Sequence, residues 1–352
     1  MFVAEFIELL EEFNMAKSLE EQLEEFFKNG QSNRAVIMVE KLEGQDAEMG
    51  KFRMEKLSDE RFAGFVEMEK FAKTQKNMEF IRAASRGEMD RVIGFIEEGM
   101  DVNVEGPYGG TALMGASRYG NLEMVEKLLE LGADVSKKDD RGNTALMNAS
   151  HWDNVDVIEL LVQKGADVNE KNDNDVSALT IAAKWSSCEV LEKLVELGAD
   201  VNPEKMPPLR VAAEAGRDEQ VEKLIELGAD IDARDYRGRT ALMTSTIYDR
   251  VDVVRTLVEK GADINAVDEF KDTALIFAAR NGAFYSVTAL VELGADYMAK
   301  NDRGQTARAV ADKSVKAPLM RAIKQKTEEK KAQKKAKQKK PVVMPQGKDI
   351  TD

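Results

Sequence analysis

A Gly-Ala-Asp triplet returns along this chain at a nearly constant interval: Gly132-Ala133-Asp134, Gly165-Ala166-Asp167, Gly198-Ala199-Asp200, Gly228-Ala229-Asp230, Gly261-Ala262-Asp263 and Gly294-Ala295-Asp296. Gly99-Met100-Asp101 opens the series, and successive glycines are 33, 33, 33, 30, 33 and 33 residues apart. A fixed period with one short supersecondary unit per repeat describes a solenoid, in which each unit packs on its neighbours, not a globular domain around one core. Solenoids present extended surfaces, so the question becomes what this one displays.

One period reads as two helices and a turn. Asp140-Arg141-Gly142-Asn143 makes a polar turn, and the Thr144 hydroxyl can cap a short helix carrying Ala145, Leu146 and Ala149. A break at Asp153-Asn154 leads into a second helix, Val155 to Gln163, with Val157, Leu160 and Leu161 on its buried face. Gly165 then supplies a left-handed C-terminal cap, and Asp167-Val168-Asn169 starts the next turn.

These residues resemble the ankyrin repeat, whose pattern runs Gly-x-Thr-Pro-Leu-His, Ala-Ala-x-x-Gly, an apolar helix and Gly-Ala-Asp-Val-Asn. Here the first element reads Thr111-Ala112-Leu113-Met114, Thr144-Ala145-Leu146-Met147, Thr240-Ala241-Leu242-Met243 and Thr273-Ala274-Leu275-Ile276. Alanine usually replaces the family proline, and Met, Thr, Arg or Ile the histidine, which weakens the family's hydrogen bonding and leaves its packing pattern. The resemblance covers about residues 77–323 and implies eight units with atypical ends. The fifth is expected to lack its finger, because Pro203-Glu204-Lys205-Met206-Pro207-Pro208 is three residues short and proline-rich. The expected fold is therefore an all-α ankyrin solenoid preceded by a small, acidic helical bundle over residues 1–76.

That bundle is read from two apolar stripes, Phe2, Phe6, Leu9, Phe13, Ala16, Leu23 and Phe27, then Phe62, Phe65, Val66 and Phe71, with a short helix from Arg34 to Leu42 between them. At the other end, Lys324 to Lys340 has no apolar side chain larger than alanine, so it can form a helix but cannot bury one. Residues 324–352 are expected to be a disordered, dispensable extension; docking to nucleic acid or an anionic lipid through these lysines is the alternative.

The net charge is −14. Residues 1–75 hold 17 acidic and 10 basic side chains and residues 324–352 hold 10 basic and 4 acidic, which leaves −13 for residues 76–323. An acidic array argues against nucleic acid along its length and favours a protein partner with a basic patch. No run of eighteen apolar residues occurs, the N-terminus lacks the features of a signal peptide, and Cys188 is the one cysteine. The expected location is cytoplasmic, with nuclear placement or delivery into a host cell as alternatives.

Residues for chemistry are scarce. His151 is the sole histidine, so neither a two-histidine metal site nor a spare catalytic base can be assembled, and no phosphate-cradling glycine motif is present. No catalytic, metal or cofactor-binding residue is assigned. An enzyme would have to lie in the N-terminal helical region, which stays open as a second alternative.

The remaining information lies in positions that the solenoid does not need for its own packing. The second residue after the small pair that closes each first helix is Tyr119, Trp152, Trp185, Ala215, Tyr248 and Asn281 in successive units, and it faces the concave groove. Both tryptophans of the protein occupy it. The finger tips add Tyr108, Arg141, Asn174, Tyr236, Arg237, Phe270 and Arg303, residue types enriched at interfaces. The sequence thus points to a non-catalytic scaffold that binds a protein partner along the groove through Tyr119, Trp152, Trp185 and Tyr248, with Tyr108, Arg141, Tyr236, Arg237 and Phe270 at its edge.

Overall fold

The computed structural model describes the backbone of residues 35–39, 52–56 and 59–338, with side chains over residues 73–333. The chain divides into two units, Met1–Lys76 and Asn77–Asp352.

In the first unit, β1 (Ala35–Val39) pairs antiparallel with β2 (Phe52–Lys56), with Ile37 opposite Met54. This corrects the short helix expected from Arg34 to Leu42. Five residues that include Val36, Ile37 and Val39 are β-branched enough, and short enough, to pair as a strand, and an apolar run of that length does not distinguish the two states. Helix α1 (Asp59–Arg86) carries Phe62, Phe65, Val66 and Phe71, as the second stripe predicted. The first stripe, Phe2 to Phe27, lies outside the described residues.

The second unit is the helical array. The end of α1 buries Phe80, Ala83 and Ala84 and pairs with α2 (Met89–Glu97). The pairs that follow are α3 (Ala112–Arg118) with α4 (Leu122–Glu130), α5 (Ala145–His151) with α6 (Val155–Gln163), and α7 (Ala178–Trp185) with α8 (Cys188–Glu196). Then come α9 (Pro208–Ala215) with α10 (Asp218–Glu226), α11 (Ala241–Ile247) with α12 (Val251–Glu259), and α13 (Ala274–Asn281) with α14 (Phe284–Leu293). The eighth unit closes the array with α15 (Ala307–Val310) and α16 (Lys316–Gln338). First helices of neighbouring units approach one another more closely than second helices do, so the stack bends with the first helices on its inner side.

Capping sets where the first helices begin. Thr111, Thr144, Ser177, Thr240 and Thr273 each accept the backbone N–H three residues on, that of Met114, Met147, Thr180, Met243 and Ile276. Only small residues fit where the first helices cross: Ala112, Ala116, Ala145, Ala149, Ala178, Ala182, Ala212 and Ala278 are buried.

Polar bridges lock one unit to the next. Asn103, Asn169 and Asn202 each donate to a glycine carbonyl of the following unit (Gly132, Gly198 and Gly228, at 3.1, 3.0 and 3.0 Å) and accept the N–H of Asp134, Asp200 and Asp230 at 2.7 Å. Asp153 and Asp249 occupy the left-handed region (φ 60° and 53°), which costs a non-glycine residue about 1 kcal/mol. The return is a cap on the next unit: Asp153 Oδ1 accepts the Ser187 N–H at 2.7 Å, and Asp249 Oδ1 accepts the Ser286 N–H and hydroxyl at 2.8 and 2.7 Å.

The fingers form a second connection beside the helices. Backbone N–H groups of Asp140, Asp173, Glu269 and Asp302 donate to the carbonyls of Tyr108, Arg141, Arg237 and Phe270 in the preceding finger, at 2.9 to 3.2 Å. Gly142 (φ 77°) permits this approach, since a Cβ there would meet the Asp173 backbone nitrogen at 2.8 Å. Unit five has no finger, as its shortened text predicted. Among the described residues no finger-to-finger bond reaches the Asn174 carbonyl or the Tyr236 N–H. The Lys205–Asp175 ion pair (3.0 Å) and the Thr180 hydroxyl on the Met206 carbonyl (3.2 Å) stand in for it. Unit five also replaces the capping threonine with Pro207, and it buries Arg210, whose Nε has no partner.

The lysine-rich segment differs from expectation. Residues 324–338 are helical, not disordered, because α16 is nucleated by a packed first half, with Val315, Leu319 and Ala322 buried, and continues through residues of high helix propensity. Lys326 Nζ reaches the Glu292 carbonyl at 2.6 Å and the Thr327 hydroxyl approaches Tyr297, so the segment is engaged beyond Ile323. Residues 339–352 lie outside the described residues.

Candidate functional site

Each first helix ends where its unit's chain reverses, and the side chain at that end is left on the inner edge of the stack. Tyr119 and Trp152 are the C-cap residues of α3 and α5, Trp185 is the last residue of α7, and Tyr248 caps α11. All four are exposed, with Trp152, Trp185 and Tyr248 each about half open at 51, 52 and 51 %. Ordinary packing would have buried rings of this size, so the repeat position itself holds them out.

The rings are not stacked directly on one another. The guanidinium of Arg118 lies 5.9 Å from the Tyr119 ring centre and 5.0 Å from that of Trp152. The His151 ring lies 5.2 Å from Trp152 and 5.6 Å from Trp185, and Lys184 Nζ lies 5.1 Å from the Trp185 ring. Aromatic and basic side chains therefore alternate along units two to four in one connected strip, the cations held against ring faces. Burial, then the charge of Arg118, pushes the His151 pKa below its usual 6.5, so this imidazole is neutral at pH 7. The strip stops at unit five, where Ala215 offers no ring. Tyr248 beyond the notch makes no ring or cation contact among the described residues.

The finger tips are open as well. Tyr108, Tyr236 and Phe270 are exposed at 83, 68 and 51 %, and Arg141, Asn174, Arg237 and Arg303 are exposed beside them. Arg237 covers the Tyr236 ring at 5.2 Å. The missing fifth finger splits this row between Asn174 and Tyr236.

Sequence reasoning singled out the aromatic positions and passed over the basic residue types beside them. Arg118, His151 and Lys184 precede Tyr119, Trp152 and Trp185 in the chain, so the signal was present as a basic-aromatic pair repeated at 33-residue spacing. That the basic residue of one unit reaches the ring of the next could be seen only in three dimensions.

Cys188 is half-buried, and burial followed by the charge of Glu219 raises its thiol pKa, the reverse of an activated nucleophile. The described residues contain no group of three or more acidic, histidine or cysteine side chains placed to hold a metal ion. No helix among them is long and apolar enough to cross a membrane.

Comparison with known proteins agrees with the repeat fold. Family models for ankyrin repeats match residues 96–149 (many copies) and residues 137–205 and 209–301 (3 copies), more than half of the chain together. The chain belongs to the ankyrin repeat family. Among solved structures it is similar to the ankyrin repeat domain of Bcl-3, described as a unique member of the IkappaB protein family. The two are 29 % identical with a TM-score of 0.54, over 60 % of this chain and 99 % of that one. No curated protein matches. Ankyrin repeats are in general protein–protein interaction modules, built as scaffolds and not as enzymes.

Proposed function

We propose that the chain is a non-catalytic scaffold that holds a protein partner along the inner groove, anchored by Trp152 and Trp185 on one side of the notch and by Tyr248 on the other. One observation carries this reading: both tryptophans of the protein stand half-exposed at the same repeat position, joined by His151, where the fold needs no aromatic residue. Tryptophan and tyrosine anchor interfaces because they bury a large area at little entropic cost. Tyr119 extends the strip, and the finger tips Tyr108, Arg141, Tyr236, Arg237 and Phe270 form its edge.

Because the strip contains both tryptophans, tryptophan emission reports on the strip alone. Peptides selected on the full-length chain from a random display library are expected to shift this emission. Truncating a central aromatic anchor typically costs about 2 kcal/mol of binding. Trp152→Ala and Trp185→Ala should each therefore weaken the selected peptides at least about tenfold and move the melting temperature little, while Glu126→Ala on α4 does neither. Variants that bind normally but melt several degrees lower would show the strip to be internal packing.

A further inference from the structure

The inner groove and the outer helices treat their charges in opposite ways. On the second helices the cations are consumed by carboxylates. Lys127 pairs with Glu130 (3.1 Å), Lys193 with Glu196 and Glu159 (3.1 and 4.0 Å), and Lys223 with Glu192 and Glu226 (2.7 and 3.1 Å). Lys260 pairs with Glu222 (3.1 Å) and Arg255 with Glu292 (3.2 Å), so a belt of ion pairs runs from unit to unit. Along the groove, by contrast, Arg118, Lys184, Arg217 and Arg250 form no ion pair among the described residues. Arg118 and Lys184 face aromatic rings, and the Nε groups of Arg217 and Arg250 rest on the carbonyls of Lys184 and Glu214.

Beside these four cations and Arg210 stand three carboxylates, each of them already engaged. Asp153 and Asp249 accept N–H groups at the start of the next unit's second helix, and Glu214 faces the buried Arg210 at 3.4 Å. The inner edge of units two to six is therefore locally positive, although the array as a whole is strongly acidic. The two facts act at different ranges. At physiological salt, interactions between exposed charges fade beyond about 8 Å, so a bound segment meets the local cations and not the overall charge.

We propose that the occupant of the groove is an acidic peptide segment of a partner protein. Its carboxylates meet Arg118 and Lys184, and its apolar or aromatic side chains lie over Trp152 and Trp185. This rests on the groove-binding reading above and reverses, for this surface, the basic-patched partner suggested by net charge. An acidic segment supplies the ion-pair partners that these cations lack, and the planar fork of the Arg118 guanidinium matches a carboxylate. A polyphosphate chain would offer similar charge but no apolar side chains to lie over Trp152 and Trp185.

The test uses the full-length chain and three fluorescent probes: a 12-residue peptide of Asp, Glu, Leu and Phe, the same peptide with every acidic residue changed to Lys, and an oligothymidylate of matching length. The acidic peptide should bind, shift tryptophan emission, and lose about tenfold or more in affinity when Arg118→Gln and Lys184→Gln are combined. The lysine peptide should bind at least tenfold more weakly than the acidic one. Circular dichroism and melting of the double variant confirm that it is folded. If the lysine peptide binds as well or better and still depends on Trp152 and Trp185, the groove binds peptides but the acidic assignment is wrong. Strip-dependent binding of the oligothymidylate in preference to either peptide overturns the assignment in favour of a nucleic-acid platform. If no probe binds through the strip while library-selected peptides do, the chemistry named here is wrong. If library-selected peptides also ignore Trp152→Ala, the groove reading itself falls.

Discussion

Single substitutions in the inter-unit bridges show how far one atom matters. Asp232 occupies the place held by Asn103, Asn169 and Asn202 in other units. It receives the Asp263 N–H at 3.2 Å through both oxygens, where the asparagines receive theirs at 2.7 Å. It has no amide to donate onward to the next glycine carbonyl. Burial, together with the charges of Asp263 and Asp230, holds its pKa above the usual carboxylate value. A raised carboxylate pKa means that the folded state binds the proton more tightly than the unfolded chain, so the penalty is present at neutral pH and fades as pH falls through the folded pKa. Asp232→Asn restores both hydrogen bonds and should stabilise the protein by about 1 kcal/mol at pH 7. In urea melts at pH 7 and pH 4 the gain should be larger at pH 7, and an equal gain at both would assign it to something other than the carboxylate charge. The same residue scale explains what was legible in the sequence. Thr144, Gly142 and the buried alanines announce themselves through periodicity. The seating of Arg118 between Tyr119 and Trp152 depends on a reach between units that one-dimensional text does not contain.

At the scale of elements, the two errors of the sequence reading have one cause: apolar content was taken as the measure of structure. β1 was read as helix because Ala35–Val39 is apolar and short, although its β-branched residues and the alternation in Phe52-Arg53-Met54-Glu55-Lys56 fit a strand pair. The end of α16 was expected to be a disordered extension, able to form a helix but not to bury one, because it lacks apolar residues, although a helix already nucleated by buried Leu319 and Ala322 propagates easily through lysine, glutamine, glutamate and alanine. The consequence can be measured. Ending the chain at Ile323 removes the Lys326 contact to the Glu292 carbonyl of α14 and the Thr327 contact to Tyr297, and frays the turn over Leu319, which should cost about 1 kcal/mol. Ending it at Ala332 leaves those contacts in place and should cost nothing resolvable, since residues 331–333 are exposed. Thermal melts of the two truncations decide this, and identical melting temperatures would make the segment a passive extension after all.

For the whole array, the missing finger divides a one-dimensional structure. Repeat stability is close to a sum of unit and junction contributions, so the weakest junction decides where unfolding begins. Unit five combines a lost finger bond, a proline in place of the capping threonine and a buried guanidinium whose Nε has no partner. Trypsin should therefore cut first in the array at Lys205-Met206, once α16 and the residues beyond it are set aside. Inserting the finger of unit four into this place should abolish that cut and raise the urea midpoint. A first cut within a complete unit would place the weak junction elsewhere. The notch itself was fully visible as a 30-residue interval among 33s, because a missing turn is a matter of counting.

The same gap has a mechanical meaning. A stack tied along two parallel lines, one of helices and one of fingers, resists bending in the plane that contains both. Cutting the finger line at one bay turns that bay into a flexure, while the helical line stays intact through α7, α9 and α11. Bending there changes the span between Trp185 and Tyr248 without unwinding a helix. The loop at Lys205 and its ion pair to Asp175 lie at the bay where such bending would alter the reach between the two rings.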